Sequence, residues 1–304
     1  MKNKKCHRCQ EDEQDIQTEL ARLRKTQQQL SKVLLDLLET QAGPGNRAIG
    51  TTLESHIPAI QRIIGGQPVA EGEFPECCLV GRKNADQSIE WFCTGVLIHP
   101  QIVLSAAHCA PHTPNIVALN ATDQNRLEQA EKLTVRKIKV HPQYQVAGQP
   151  YNDMVALILQ TEACTAPVGI ATASEMSEAG AVTLVGFGHE NAGGSQGFGI
   201  KRRVNVDMVS IRRTPQEDLN AAEIKYGFES DLEFVAGGDG FDSCNGDSGG
   251  PAYILVQGNR RVAGLTSRAT KDATHMCGDG GVYTRLDVQE AFLKEVMDAL
   301  HSLI

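Results

Sequence analysis

The 304-residue chain contains no run of 18 apolar residues, so no segment is written as a membrane-spanning helix. It has no surplus of positive charge either. A formal net charge of -8 argues against a nucleic-acid partner, whose phosphates demand a basic face. The first residues, Met1-Lys2-Asn3-Lys4-Lys5, open like the charged start of an export signal. The apolar stretch that should follow is missing, and Glu11-Asp12-Glu13-Gln14-Asp15 stands in its place. Cys6 and Cys9, flanking His7, form a Cys-x-x-Cys with no second pair nearby, which supplies at most half of a four-ligand zinc site. A shared zinc site, a redox pair and idle thiols all stay open. Gly and Pro are absent from residue 11 to 41, so nothing interrupts a helix there until Gly43-Pro44-Gly45 stops it.

What is present supports a globular protein. Hydrophobic residues make up 41% of the chain, enough for one large core or two small ones, and 29 glycines suit a turn-rich β protein. Within residues 11–41, Ile16, Leu20, Leu23, Leu30, Leu34 and Leu37 follow alternating spacings of four and three, with Gln27 in the one polar slot. This heptad seam reads either as a coiled coil that joins copies or docks a partner, or as an amphipathic helix lying on the rest of the protein. The first 42 residues thus form one region, residues 43–62 a Gly-, Pro-, Asn- and Ser-containing linker, and residues 63–304 the main domain. From Phe74 onward short apolar runs alternate with turns: Cys78-Leu79-Val80, Val96-Leu97-Ile98, Ile102-Val103-Leu104, Ile116 to Leu119, Val135 to Val140, Val155 to Leu159, Val182 to Val185 and Ile254 to Val256. Such punctuation predicts an all-β barrel or sandwich. Leu286 to Ile304 carries Phe292, Leu293, Val296, Met297 and Leu300 at helical spacing and predicts a terminal helix packed on the outside.

The chemistry centres on Asp242-Ser243-Cys244-Asn245-Gly246-Asp247-Ser248-Gly249-Gly250-Pro251. A serine hydroxyl is a weak nucleophile until a base and oxyanion donors are brought to it. The glycines allow close approach and φ > 0 turns that aim N–H groups, here those of Gly246 and Ser248, at one point. His108 lies in Ser105-Ala106-Ala107-His108-Cys109 and Asp153 in Asn152-Asp153, so the chain order is His, Asp, Ser. With Ile63-Ile64-Gly65-Gly66 and Gly281-Val282-Tyr283-Thr284, these motifs resemble those of trypsin-like serine proteases of the chymotrypsin family, over residues 63–304.

That resemblance implies two six-stranded antiparallel β-barrels with a cleft between them. It implies His108, Asp153 and Ser248 as catalytic residues, with no metal and no cofactor. Cleavage between Arg62 and Ile63 would free an amine that pairs with Asp247 and activates the enzyme, so the uncut chain would be a quiet zymogen with a poorly formed oxyanion hole and pocket. Asp242 would form the base of a pocket for Arg or Lys, with Ser267, Arg268, Ala269 and Gly281 lining it. Protein or peptide substrates cut after Arg or Lys follow from this. Relatives commonly carry an aromatic residue where Arg268 stands, so an acidic or polar residue upstream of the cut is expected here. Disulfides Cys93–Cys109 and Cys244–Cys277 are implied, leaving Cys77, Cys78 and Cys164, with a bridge from Cys77 or Cys78 to Cys164 as one arrangement. The family points to secretion, and the missing apolar stretch makes a cytoplasmic location the alternative. A protease-fold binding or regulatory protein that works through its helical arm is the competing function.

Overall fold

In the computed structural model the described residues are 66–189, 197–275 and 277–303. The helix expected over residues 11–41, Cys6, Cys9, the 43–62 linker and the Arg62–Ile63 junction lie outside them.

Six strands close the first barrel: β2 (Cys77–Lys83), β3 (Ile89–His99), β4 (Ile102–Ser105), β5 (Ile116–Leu119), β6 (Glu131–Val140) and β7 (Val155–Leu159), in the order β2-β3-β4-β7-β6-β5 with β5 returning to β2. The second barrel uses β9 (Ala181–Gly186), β10 (Arg202–Ser210), β11 (Glu233–Ala236), β12 (Pro251–Val256), β13 (Asn259–Ala269) and β14 (Gly281–Arg285). Its order is β10-β11-β14-β13-β12-β9, and β9 pairs back to β10. The short β1 (Gln67–Pro68) adds to β10, and β8 (Gly169–Ile170) runs parallel to β13. Closure leaves no long unpaired edge, which an exposed sheet would have to protect.

Each barrel has its own interior. Cys78, Val80, Leu97, Val103, Val117 and Leu157 fill the first; Leu184, Val204, Val206, Phe234, Ile254 and Tyr283 fill the second. A third cluster takes residues from both barrels, among them Leu79, Val96, Leu104, Phe187, Tyr253 and Leu265. Strands β4 and β7 are buried along their whole length, because one face looks into the barrel and the other onto this shared layer. This is why they read as unbroken apolar runs in the sequence.

Strand β10 is the opposite case. Its burial alternates without a fault from Arg202 to Ser210, with Val204, Val206 and Met208 inside and Arg203, Asn205 and Asp207 outside. That period-two signal was present in the sequence but not among the expected strands. Two short helices also join the fold, α1 (Ala173–Glu178), opened by a Thr172–Glu175 capping box, and α2 (Asn220–Tyr226). The terminal helix α3 (Glu290–His301) buries Phe292, Val296 and Leu300 on one stripe. It is shorter than expected because Leu286 donates to the Ala263 carbonyl and Gln289 to that of Leu286, so the chain is still turning away from β14.

The two expected disulfides are present, Cys93–Cys109 and Cys244–Cys277. The bridge to Cys164 is not: Cys77 and Cys78 are both buried thiols. As neighbours on one strand they point to opposite faces, Cys77 into the shared layer and Cys78 into the first barrel. Burial pushes the Cys78 thiol up to about 12 and raises Cys77 well above the ordinary range, so neither is a ready thiolate.

Candidate active site

His108 sits on a short 3-10 segment, Ala107–His112, that begins one residue beyond the end of β4. The Cys93–Cys109 bridge ties this turn back to β3. Asp153 stands two residues before β7, after Asn152 has taken a left-handed conformation (φ 56°) that redirects the chain. Because β4 and β7 are paired neighbours, with Ser105 opposite Val155, their adjoining loops are brought together. Asp153 then engages His108 twice: the backbone N–H of His108 donates to Oδ1 at 2.9 Å, and ring Nδ1 lies 2.7 Å from Oδ2.

The second barrel completes the environment of Asp153. The Ser267 hydroxyl on β13 donates to Oδ2 at 2.7 Å, and Thr284 on β14 donates to the Asp153 carbonyl at 3.4 Å. Gln289 holds the adjoining Asn152 side chain at 3.2 Å. Asp153 is 3% exposed, and these contacts from both sides fix its rotamer. A buried carboxylate that faces Nδ1 keeps the imidazole in the tautomer whose other nitrogen looks outward.

Ser248 is half-buried and is pressed against the first barrel. Its carbonyl accepts from the Thr94 N–H of β3 at 3.0 Å, and the Thr94 hydroxyl donates to the Gly246 carbonyl at 2.8 Å. The Cys109 sulfur lies 4.0 Å from the Ser248 carbonyl oxygen, which places the loop beside the turn that bears His108. Gly249 explains why the approach is so close. A Cβ there would fall 2.2 Å from the Ser105 Oγ and 2.4 Å from the Ala106 nitrogen, and φ is +77°. Only glycine fits. Gly246 also has positive φ, and among the described residues no acceptor takes the N–H of Gly246 or of Ser248.

Two carboxylates of this stretch are themselves buried. Asp242, 2% exposed, accepts from the Ser243 N–H at 2.6 Å, the Ser243 hydroxyl at 3.2 Å and the Tyr283 hydroxyl at 3.1 Å. Burial nevertheless pushes its carboxyl up to about 7. Gly281 stands against it: a Cβ there would be 2.9 Å from Asp242 Oδ1. Asp247, 3% exposed, accepts from the N–H groups of Gly188 (2.7 Å) and Cys244 (2.8 Å), and burial raises it to about 6. Leu184, Val185, Ser243 and Thr266 line the crevice beside it.

Strand β13 carries three of the residues expected to line the pocket. Ser267 points at Asp153, and Ala269 is exposed, paired opposite Gly281. Arg268 grips the fully buried Glu233 of β11 with both arms, Nη1 to Oε1 at 2.6 Å and Nη2 to Oε2 at 2.8 Å. Its positive charge is already balanced there, which removes the ground for expecting an acidic residue upstream of the cut. Glu233 was absent from the expected site residues. Its one signal in the sequence is an acid at the head of the apolar run Phe234-Val235-Ala236. Thr94, Ser243, Tyr283 and Gln289 were missed as well, although Ser243 and Tyr283 lie inside motifs already singled out. Glu131 accepts from the backbone of Cys164 and Thr165, and no metal-binding cluster occurs among the described residues.

A family model described as Trypsin matches residues 63–293. The chain is 30% identical over 246 residues to "Serine protease snk" of Drosophila melanogaster, covering 76% of this chain and 55% of that protein. It is 28% identical to "Trypsin" of Saccharopolyspora erythraea, covering 78% of this chain and 99% of that one. Among solved structures, the "Secreted serine protease VesC from Vibrio cholerae" aligns with a TM-score of 0.58 at 30% identity, over 76% of this chain and 47% of that chain. The match thus spans about half the length of the fly protein and of the solved chain.

Proposed function

Because this chain belongs to the trypsin family of serine proteases, we propose that it is an endopeptidase that hydrolyses peptide bonds after Arg or Lys. The observation that carries the reading is the double grip of Asp153 on His108 at 2.9 and 2.7 Å, beside a serine loop packed against the same turn. In this reading the Ser248 hydroxyl attacks the scissile carbonyl and passes its proton to the outward nitrogen of His108. His108 then returns a proton to the leaving amine, while Asp153 stabilises the imidazolium. The N–H groups of Gly246 and Ser248, which have no acceptor among the described residues, receive the oxyanion.

Asp242 supplies the preference. A carboxylate 2% exposed and bonded to neutral donors alone, with its carboxyl raised to about 7, gains most from a cation brought by substrate. Among the described residues Asp247 accepts only backbone N–H groups, and burial raises it to about 6 although Arg202 pulls the other way; we assign it as the acceptor of an amine freed on Ile63 by cleavage after Arg62. Arg62 matches the preference of the enzyme itself, so activation in trans follows.

The test is to cut the full chain after Arg62 and offer arginyl, lysyl, phenylalanyl and alanyl amides. Arginyl and lysyl turnover that disappears in Ser248→Ala supports the reading. Equal signals from wild type and Ser248→Ala would move it to a non-catalytic module.

A further inference from the structure

The pairing of Arg268 with Glu233 continues to the histidine. Glu233 is 0% exposed, and besides the two arms of Arg268 it accepts from the Glu229 N–H at 3.0 Å. The Arg268 Nη2 also donates to the Gly227 carbonyl at the end of α2, at 2.9 Å, and the Tyr151 ring faces the guanidinium at 5.9 Å. The guanidinium is therefore held from three sides. Its Nη1 lies 3.4 Å from the Ser267 Oγ, and that hydroxyl reaches Asp153 Oδ2 at 2.7 Å, the same oxygen that faces His108 Nδ1 at 2.7 Å.

A serine hydroxyl has one hydrogen. When an N–H of a fixed cation occupies its lone pair, that hydrogen is committed to its other neighbour, here Asp153. We propose that Arg268, clamped by Glu233, is a positioning residue for the Asp153–His108 pair and acts through the hydroxyl of Ser267. The clamp requires arginine: its rigid fork satisfies both carboxylate oxygens while one arm still faces Ser267, which a lysine ammonium does not reproduce. The glutamate requires the arginine in turn, since burial raises its carboxyl and Arg268 pulls it back toward the charged form.

The charged and titratable groups facing this chain of contacts are few. Glu233 comes from β11, Asp153 and Tyr151 from the loop before β7, and Tyr144 from the preceding loop, its hydroxyl raised by burial and by Asp153. Glu229 and Glu223 act on Tyr151 from the side of α2. Arg268 is the cation in contact with Glu233 and Ser267, while Arg212 lies 3.6 Å from Glu223.

This inference rests on the peptidase reading only for its kinetic consequence, and the experiment separates the two. The protein cut after Arg62 is compared with Arg268→Gln, Arg268→Lys and the double variant Arg268→Gln/Glu233→Gln. Two quantities are read: the low-field proton resonance of His108 Nδ1–H, and kcat and KM on a small arginyl amide. In Arg268→Gln the resonance moves upfield and exchanges faster with water, and kcat falls about tenfold, the scale of one hydrogen bond to a charged group. KM stays within about twofold, because the Arg268 guanidinium is engaged by Glu233 and the Gly227 carbonyl and not by the substrate. Arg268→Lys restores less than half of the lost kcat. The double variant removes the uncompensated carboxylate, so it reports even if Arg268→Gln fails to fold, and it shows the same upfield resonance. A folded variant whose resonance and kcat match wild type overturns the proposal. Wild type that turns over no amide, while its low-field proton still answers to Arg268, sinks the peptidase reading and keeps the positioning role.

Discussion

Asp153 and Asp242 are the same residue type at nearly the same burial, 3% and 2% exposed, and each accepts several hydrogen bonds, yet their partners differ in kind. Asp153 stands where the two barrels meet and finds its partner inside the protein, the His108 ring at 2.7 Å. Asp242 lies within the second barrel and finds only hydroxyls and an N–H. Hydrogen bonds from neutral donors offset part of the cost of burying a charge, and a facing cation offsets more. On the proposed function, the buried acid with an internal partner orients that partner, and the one without it is poised for a partner that arrives.

The sharpest way to break this contrast is Asp153→Asn. On the proposed mechanism the wrong imidazole tautomer costs about 10⁴-fold in kcat with the fold intact. Amide turnover alongside a thermal unfolding curve checks this, and a loss under tenfold would mean that Asp153 is not orienting the base. Next is Asp242→Ser, which should lower kcat/KM for arginyl amides by about 10²–10³-fold, the cost of removing one partner of a buried charge pair. Alanyl amides should be unaffected, and parallel losses on both substrates would count against a cation pocket.

A third test uses benzamidine, an amidinium that pairs with a carboxylate. Since burial pushes the Asp242 carboxyl up to about 7, affinity should fall by about tenfold per pH unit below that point, with close to one proton released on binding at pH 6. Calorimetry in two buffers of different ionisation heat measures it. The smallest effect concerns stability. A carboxyl raised in the folded state contributes stability that is present below its unfolded value, near 3.8, and is lost as pH rises through about 7. Across that window wild type should lose stability relative to Asp242→Asn, by denaturant titration at each pH, and the gap should close when benzamidine is bound to wild type.

The ease of reading the sequence differed between these same places. The loop from Asp242 to Pro251 declares itself by composition, because oxyanion donors and close approach need glycines in a short span. Strands β4 and β7 were legible as apolar runs since both faces are covered, whereas β10 was missed despite its even alternation. Glu233 and the true orientation of Arg268 were hidden. They are 35 residues apart and meet only because β11 and β13 both flank β14. A local pattern reports what neighbours along the chain must be; a long-range ion pair leaves no period to find.

What the order of residues settled was therefore the inventory: short apolar runs of an all-β protein, a glycine-rich serine loop, and a histidine and acids in motifs upstream and within it. The folded arrangement assigned partners. Whether a given buried acid faces an imidazole, a guanidinium or only hydroxyls depends on which strands lie side by side, and strand pairing is set by closure of each barrel as a whole rather than by any one segment.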